Sequence, residues 1–209
     1  IRAFFAARDL LEVDTPVMSH YGVSDPHIDS IAVAFAAHGD LSNQRMRQPM
    51  YLMSSPEYAM KRLLAAGSGN IYQIAKAFRN GEVGRRHNTE FTLLEWYRLD
   101  FDLQQLMQEV AELIDTVLKG AVLEWHFWSY RQAFETILSI NPLTASDADI
   151  KAKALAHVDI QMDACAPRDT WLDLLMSHCI EPKLPTACFI FDYPASQAAL
   201  ARLHTDELG

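Results

Sequence analysis

The stretch from Tyr72 to Tyr97 constrains the fold most, because it reads as two strands joined by a long polar loop. The loop runs from Asn80 to Glu90 and carries two glycines. Side chains alternate along a strand, so each arm of this hairpin presents two faces. One face of the first arm takes the odd-numbered positions Gln73, Ala75, Ala77 and Arg79. One face of the second arm takes Phe91, Leu93, Glu95 and Tyr97.

Two polar side chains stand on the second arm where a core strand would be apolar. Glu95 and Tyr97 lie two residues apart, on the face that also bears Phe91. An unpaired charge in a protein interior is costly, so a buried Glu95 needs a partner or a cationic ligand. If the face instead lines a pocket, the carboxylate and the phenol suit an amine, and the aromatic ring suits a base. Arg79, at the end of the first arm, suits a phosphate.

Three strings in this hairpin resemble motif 2 of the class II aminoacyl-tRNA synthetases, in their lysine branch. They are Phe78-Arg79-Asn80, then the run from Arg86 to Thr92, then Glu95-Trp96-Tyr97. Lysyl-tRNA synthetases more usually carry leucine where Trp96 stands. Trp96 and the string Pro194-Ala195-Ser196-Gln197-Ala198 resemble the stand-alone enzymes of this branch that modify translation elongation factor P.

The resemblance implies an α/β (α+β) fold, the class II synthetase catalytic core, in which helices flank an antiparallel sheet. It extends over residues 1–209 as one partial catalytic domain, with a peripheral helical insertion at about 120–183. The chain begins at Ile1 inside an amphipathic pattern and stops at Gly209 after a polar segment. The part of the family core that carries motif 3 is missing from residues 1–209, and its presence in the full-length protein is left open.

A helix is predicted to begin at the string Ser54-Ser55-Pro56-Glu57 and to be closed by Gly67. Ser54 and Glu57 match a capping box, and proline is favoured at the first helical position. These local roles alone explain the string. The resemblance adds a second role, since lysine-branch synthetases use this string to hold the amino acid.

The amino-acid site implied by the resemblance draws on this string and on the second arm of the hairpin. Its residues are Ser55, Pro56, Glu57, Glu95 and Tyr97. Glu57 would hold the α-amino or β-amino group, while Glu95 and Tyr97 would hold the side-chain ammonium. Two carboxylates suit a doubly cationic amino acid, and the sequence leaves lysine and β-lysine both open.

The implied reaction is the activation of an amino acid by ATP, during which negative charge develops on the α-phosphate. Arg79 is the predicted catalytic residue, because a planar guanidinium can pair with two phosphate oxygens. Phe91 would stack on adenine. The implied ATP site consists of Arg79, Asn80, Gly81, Glu82, Arg86, His87, Asn88 and Phe91. Magnesium is expected with ATP; its family ligands are expected beyond Gly209, so no metal site is predicted within the chain.

Gly81 departs from the family pattern, which has glutamate after Phe-Arg-Asn. Glu82 follows directly. Either Glu82 takes over the contact through a small shift of the loop, or the contact is lost. The assignment of Arg79 does not depend on the outcome.

The segment Leu11–Met18 alternates and contains Pro16, which confines a strand to an edge or an end. A helical pattern precedes it, over residues 1–9. This order resembles motif 1 of the class II synthetases, a helix and a strand at a dimer interface. The resemblance implies a homodimer formed through Ile1–Met18.

Composition restricts the partners. A net charge of −9 over 209 residues makes a poor general surface for a polyanion, so tRNA is not the expected acceptor. Cys165, Cys179 and Cys188 form no C-x-x-C pair and fit a reducing compartment. The longest wholly apolar run, residues 31–37, is too short to cross a bilayer. We expect a cytoplasmic protein without a signal peptide or membrane span.

The leading hypothesis is an ATP-dependent ligase that activates lysine or β-lysine as an adenylate and transfers it to a lysine of elongation factor P. One alternative is a fragment of a lysyl-tRNA synthetase, and another is a non-catalytic synthetase-like domain that binds or regulates. The discriminating features are a domain before Ile1 and motif 3 after Gly209.

Overall fold

A computed structural model describes residues 1–25, 28–36, 47–85, 87–119, 123–159 and 165–205. Helices α1 to α6 are Arg2–Ala6, Glu57–Ala65, Leu103–Leu118, Tyr130–Leu138, Asp147–His157 and Arg168–Leu175. Strands β1 to β8 are Leu11–Glu12, Met18–Ser19, Ala32–Ala36, Arg47–Leu52, Ile71–Phe78, Glu90–Tyr97, Trp125–Ser129 and Ala187–Phe191. A π-helical turn, Met176–Ile180, follows α6, and short 3-10 turns occupy Glu181–Lys183 and Ala195–Gln197. The chain divides into two compact units, Ile1–Val117 and Leu118–Gly209.

The predicted hairpin is the centre of the first unit. Strands β5 and β6 pair antiparallel over their whole length, with Gln73 opposite Glu95 and Ala77 opposite Phe91. Strand β1 adds to the outer edge of β5 in the parallel sense. The faces expected from alternation are confirmed, because the register places the odd-numbered residues of both arms on the same side.

The other face of the hairpin packs against helices. Tyr72 stacks on Phe5 of α1 at 4.5 Å between ring centroids, and Trp96 lies 5.5 Å from the same ring. Leu113 of α3 completes this cluster. The helices therefore pack on the even-numbered side of the hairpin around Tyr72 and Trp96, whereas Glu95 and Tyr97 lie on the odd-numbered side.

A second antiparallel sheet brings another segment to the end of β5. It has the order β2-β4-β3. The Met53 carbonyl accepts a backbone hydrogen bond from Phe78, and the Met53 amide donates to Val17. The chain after β4, which carries Ser54 to Glu57, therefore lies beside the point where β5 gives way to the loop.

The predicted strand Leu11–Met18 is divided between two sheets. Its first residues form β1, and its last residue opens β2. Pro16 stands between them, where its missing N–H makes continuous pairing unfavourable. A short strand on either side of the proline is the result.

The capping box predicted at the start of helix α2 is wrong. It begins at Glu57 after Pro56, without a side-chain hydrogen bond from the residue that precedes it. Ser55, rather than Ser54, accepts a hydrogen bond from the Glu57 amide, at 3.0 Å. The predicted closure is confirmed, since Gly67 has φ +88°, a conformation that favours glycine.

The second unit has its own hydrophobic core. Strands β7 and β8 pair in parallel, and Ser129 caps α4 by accepting from the Gln132 amide. Buried side chains of α4 and α6, including Phe134 and Trp171, form the core. The predicted insertion at about 120–183 falls within this unit, and its peripheral position stays a prediction. None of the helices in the described residues has both the length and the apolar character needed to span a membrane.

Candidate active site

Ser55, Glu95 and Tyr97 form a hydrogen-bonded cluster on the odd-numbered face of the hairpin. The Ser55 hydroxyl donates to Glu95 Oε2 at 2.6 Å, and the Tyr97 hydroxyl donates to Oε1 at 2.6 Å. All three side chains are partly buried. Each carboxylate oxygen therefore has one protein donor and keeps further lone-pair capacity for a ligand.

The Tyr97 phenol is held in its neutral form. Burial raises its pKa most, followed by its hydrogen bond to Glu95 and by the negative charges of Glu95 and Glu57. The pKa of Tyr97 consequently lies above its ordinary value of 10.0. A neutral phenol beside a carboxylate is a donor that fixes the carboxylate without cancelling its charge.

Glu57 lies beside this cluster, at the start of α2. Its carboxylate pairs with Lys61, one turn later, at 2.6 Å. About a third of the Glu57 side chain is exposed, at 33%. Its negative charge contributes to the raised pKa of Tyr97, so the two predicted amine-binding carboxylates act on the same region.

A cleft of about 270 Å³ opens beside Ser55, Pro56 and Glu57. The loop His20–Val23 also lines it, which the sequence did not single out. Within that loop, a Cβ on Gly22 would meet the Ser30 hydroxyl at 3.0 Å, so a larger residue would displace its neighbour. In the sequence, Gly22 within a polar segment was the one feature that could have indicated this loop.

Arg79 lies at the junction between this string and the loop of the hairpin. Its Nε donates to the Ser54 carbonyl at 3.4 Å, and its Nη1 lies 3.7 Å from Glu82 Oε1. The guanidinium also lies over the Phe91 ring, 5.1 Å from the centroid. The predicted phosphate-binding and base-stacking residues are thus adjacent.

The remaining predicted ATP-binding residues follow in the loop. Asn80 is exposed and donates to Asp29 Oδ2 at 2.7 Å, an interaction that the sequence did not reveal. His87 and Asn88 are exposed. Arg86 lies outside the described residues.

Gly81 has φ +74°, and its missing Cβ would meet no atom within 4 Å. The left-handed backbone favours glycine for conformational reasons alone. Glutamate, the usual family residue, would be strained in this conformation. Glu82 is the acid that pairs with Arg79 here, at 3.7 Å. That Glu82 takes over the contact with ATP stays a prediction.

The two halves of the candidate site occupy opposite ends of one strand pair. Phe91 and Arg79 lie at the loop end, whereas Glu95 and Tyr97 lie toward the other end of β6. Glu95 lies four positions after Phe91 along the strand, which corresponds to about 13 Å. A nucleotide and an amine can therefore lie side by side along the hairpin.

Metal-ligating side chains do not form a cluster in the described residues. No three His, Cys, Asp or Glu residues in those ranges gather closely enough to hold an ion.

The hairpin carries an arginine at its loop end and the Ser55, Glu95 and Tyr97 cluster on one face, with helices on the other, as expected of a class II synthetase catalytic core. A family model described as tRNA synthetases class II (D, K and N) matches residues 1–208. The chain belongs to this family. The family prediction made from motif 2 is confirmed.

The names of curated relatives are more specific than the description of the family. The chain is 48% identical over 212 residues to a protein of Vibrio vulnificus named elongation factor P--(R)-beta-lysine ligase, covering 99% of the chain and 63% of the relative. Proteins of the same name from Mannheimia succiniciproducens and Enterobacter are each 44% identical, over 99% of the chain and 62% and 63% of their lengths. The chain thus spans somewhat less than two thirds of these relatives.

Proposed function

We propose that the protein containing this chain is an ATP-dependent ligase that joins lysine or β-lysine to a lysine side chain of elongation factor P. The observation that carries the proposal is the Glu95 carboxylate, which two hydroxyls orient on the same hairpin as Arg79. The names of the curated relatives support the choice of acceptor.

In the proposed complex, the ammonium on the substrate side chain lies against Glu95, within reach of the Tyr97 phenol oxygen. Glu57 takes the second amine and shares its charge between that amine and Lys61. A charge-assisted hydrogen bond is about twice as strong as a neutral one, so two carboxylates favour a diamino acid over amino acids with one amine. Ser55 links the two, since it donates to Glu95 and accepts from the Glu57 amide.

Adenylate formation is the first proposed step. A carboxylate oxygen of the amino acid attacks the α-phosphorus of ATP, and the bond from that phosphorus to the bridging oxygen breaks. Pyrophosphate leaves with the electron pair, and an aminoacyl-adenylate remains. Arg79 offsets the negative charge that grows on the α-phosphate oxygens, and Phe91 supports the adenine. Magnesium would neutralise further phosphate charge.

Transfer is the second proposed step. The amine of a lysine on the acceptor attacks the carbonyl carbon of the adenylate, AMP leaves, and the amine loses a proton as the amide forms. The net charge of −9 supports a protein acceptor over tRNA, because counterion release drives binding to polyanions only where cations cluster. A cytoplasmic location belongs to the same proposal.

The test of this function supplies both acceptors to the protein expressed from its complete reading frame. Radiolabelled lysine or β-lysine, ATP, and either elongation factor P or tRNA are incubated in parallel. The proposal expects label on elongation factor P. Label on tRNA alone would establish the lysyl-tRNA synthetase alternative instead, and an absence of adenylate would support the non-catalytic one.

A homodimer through Ile1–Met18 is part of the proposal. Four apolar side chains of this segment are exposed in the single chain, Ile1 at 47%, Leu11 at 58%, Val17 at 41% and Met18 at 44%. Exposed apolar side chains gathered in one segment are typical of an interface. Leu11→Lys is therefore expected to weaken self-association by about tenfold or more.

Sedimentation velocity at micromolar concentration measures this effect. Val83→Lys, which replaces an apolar residue of the hairpin loop that is 82% exposed, serves as the control and should leave association unchanged. A parent protein that is well folded and purely monomeric would contradict the dimer.

The pH dependence of Tyr97 gives another prediction. Because its pKa is raised above 10.0, the phenol should stay protonated up to at least that pH. The contribution of this pKa shift to the free energy of unfolding is fully present below pH 10.0 and is lost as the pH rises further. A difference titration of phenolate absorbance between the parent and Tyr97→Phe measures the ionisation, and a phenolate signal from Tyr97 below pH 10.0 would contradict the geometry.

A further inference from the structure

Glu109 of α3 is a buried carboxylate behind the strand that carries the amine-binding residues. It is 5% exposed. The indole Nε1 of Trp96 donates to Glu109 Oε1 at 2.9 Å. Arg98 Nε lies 3.3 Å from Oε2, in an ion pair without a hydrogen bond at that nitrogen. One carboxylate therefore contacts two residues at the end of β6.

Arg98 has its own fixed surroundings. Its side chain is 12% exposed, Nη1 donates to the Arg8 carbonyl at 3.1 Å, and the guanidinium lies 4.3 Å from the centroid of the Phe101 ring. Arg98, the residue after β6, is thus connected to Glu109 of α3 and to Arg8 in the turn after α1. Because both partners are buried, removal of one charge leaves the other uncompensated.

The two residues that Glu109 holds flank Tyr97 in the chain. Alternation along the strand directs Trp96 to the opposite face from Glu95 and Tyr97. Trp96 is further fixed by Phe5, whose ring lies 5.5 Å away. The backbone that presents the Glu95 and Tyr97 side chains is therefore tied to α3 from behind, on both sides of Tyr97.

We propose that Glu109 is a positioning residue for amino-acid binding, which acts by holding Trp96 and Arg98 so that Glu95 and Tyr97 keep their places. This inference rests on the proposed function, because it assigns Glu95 and Tyr97 to the amine. The effect is local. Phe91 lies six strand residues from Tyr97, about 20 Å away, so the nucleotide end of the hairpin does not depend on Glu109.

The test compares Glu109→Gln with Glu112→Gln in the protein from the complete reading frame. Glu112 lies one turn later on α3 and pairs with Arg8 at the surface, at 2.9 Å, so its variant is a matched control. We expect Glu109→Gln to raise the Kd for lysine or β-lysine by about tenfold or more, the cost typical of a lost supporting contact. The Kd for ATP should stay within about twofold, as for well-separated sites. Equal losses for both ligands would assign Glu109 a purely structural role and overturn the inference.

Trp96→Phe keeps a smaller aromatic ring but removes the indole N–H that bonds Glu109, so it serves if Glu109→Gln does not fold. It should raise the same Kd in the same selective way. An unchanged amino-acid Kd in the folded variants would also overturn the inference.

Hydrogen exchange separates this inference from the proposed function. In Glu109→Gln, peptides covering residues 95–98 should exchange faster than in the parent, while peptides covering 90–93 should not change. A parent protein that binds ATP but neither diamino acid would refute the proposed function, yet the exchange result would still decide whether Glu109 fixes the end of β6. Unaltered exchange at 95–98 would refute the positioning role.

Discussion

Arg79→Ala is expected to slow adenylate formation by about a hundredfold or more, as for other losses of a charge contact made in the transition state. The guanidinium lies between the Ser54 carbonyl and the Phe91 ring, where the proposed α-phosphate would meet the amino acid. Its ion pair with Glu82 is loose, at 3.7 Å, and partly exposed. Such pairs contribute about 0–1 kcal/mol, so the free energy of unfolding should change little.

Amino-acid-dependent pyrophosphate exchange measures this effect, and thermal unfolding checks the fold. Lys76→Ala is the matched control, because Lys76 lies on the same strand, is 58% exposed and pairs with Glu90. Exchange by Arg79→Ala at nearly the parent rate would remove Arg79 from the mechanism.

Glu95→Gln should weaken amino-acid binding by about 10-fold to 100-fold, because hydrogen bonds to charged groups contribute about 1.5–3 kcal/mol. Glutamine keeps the shape of the side chain, and hydroxyls such as those of Ser55 and Tyr97 can accept as well as donate. The local structure should therefore survive while the negative charge is lost. ATP binding should change by about twofold at most, as for distant sites that share no partner.

Calorimetric titration of each ligand separately measures the two affinities. Glu90→Gln provides the control, since it removes a carboxylate at the first position of the same strand, where the side chain is 56% exposed. Losses of the same size for the amino acid and for ATP would indicate a folding defect and not a binding role for Glu95.

The hairpin was predictable because the order of residues along each strand determines which side chains share a face. A period of two residues places Gln73 and Glu95 on one face, and the antiparallel register confirms it. The end of α2 was predictable for the same reason, since Gly67 alone supplies the required φ. Residue type and nearest neighbours suffice for such features.

Features that depend on distant residues were not predictable. The buried carboxylate of Glu109 accepts a hydrogen bond from Trp96 and forms an ion pair with Arg98. No pattern in the sequence indicates that this helix residue contacts the end of β6. Asn80 donates a hydrogen bond to Asp29, which lies about fifty residues earlier in the chain. The hydroxyl of Ser55, and not that of Ser54, accepts the hydrogen bond from the Glu57 amide. The same hydroxyl donates to Glu95, a tertiary contact that capping rules do not include.

The central claim is that this family member activates a diamino acid through its two carboxylates. Pyrophosphate exchange with the protein from the complete reading frame tests it most directly, with lysine, β-lysine, aspartate and asparagine supplied one at a time. The last two are included because the family comprises the D, K and N synthetases. Exchange only with lysine or β-lysine is the predicted result. Exchange with aspartate or asparagine, or with none of the four, would contradict the claim.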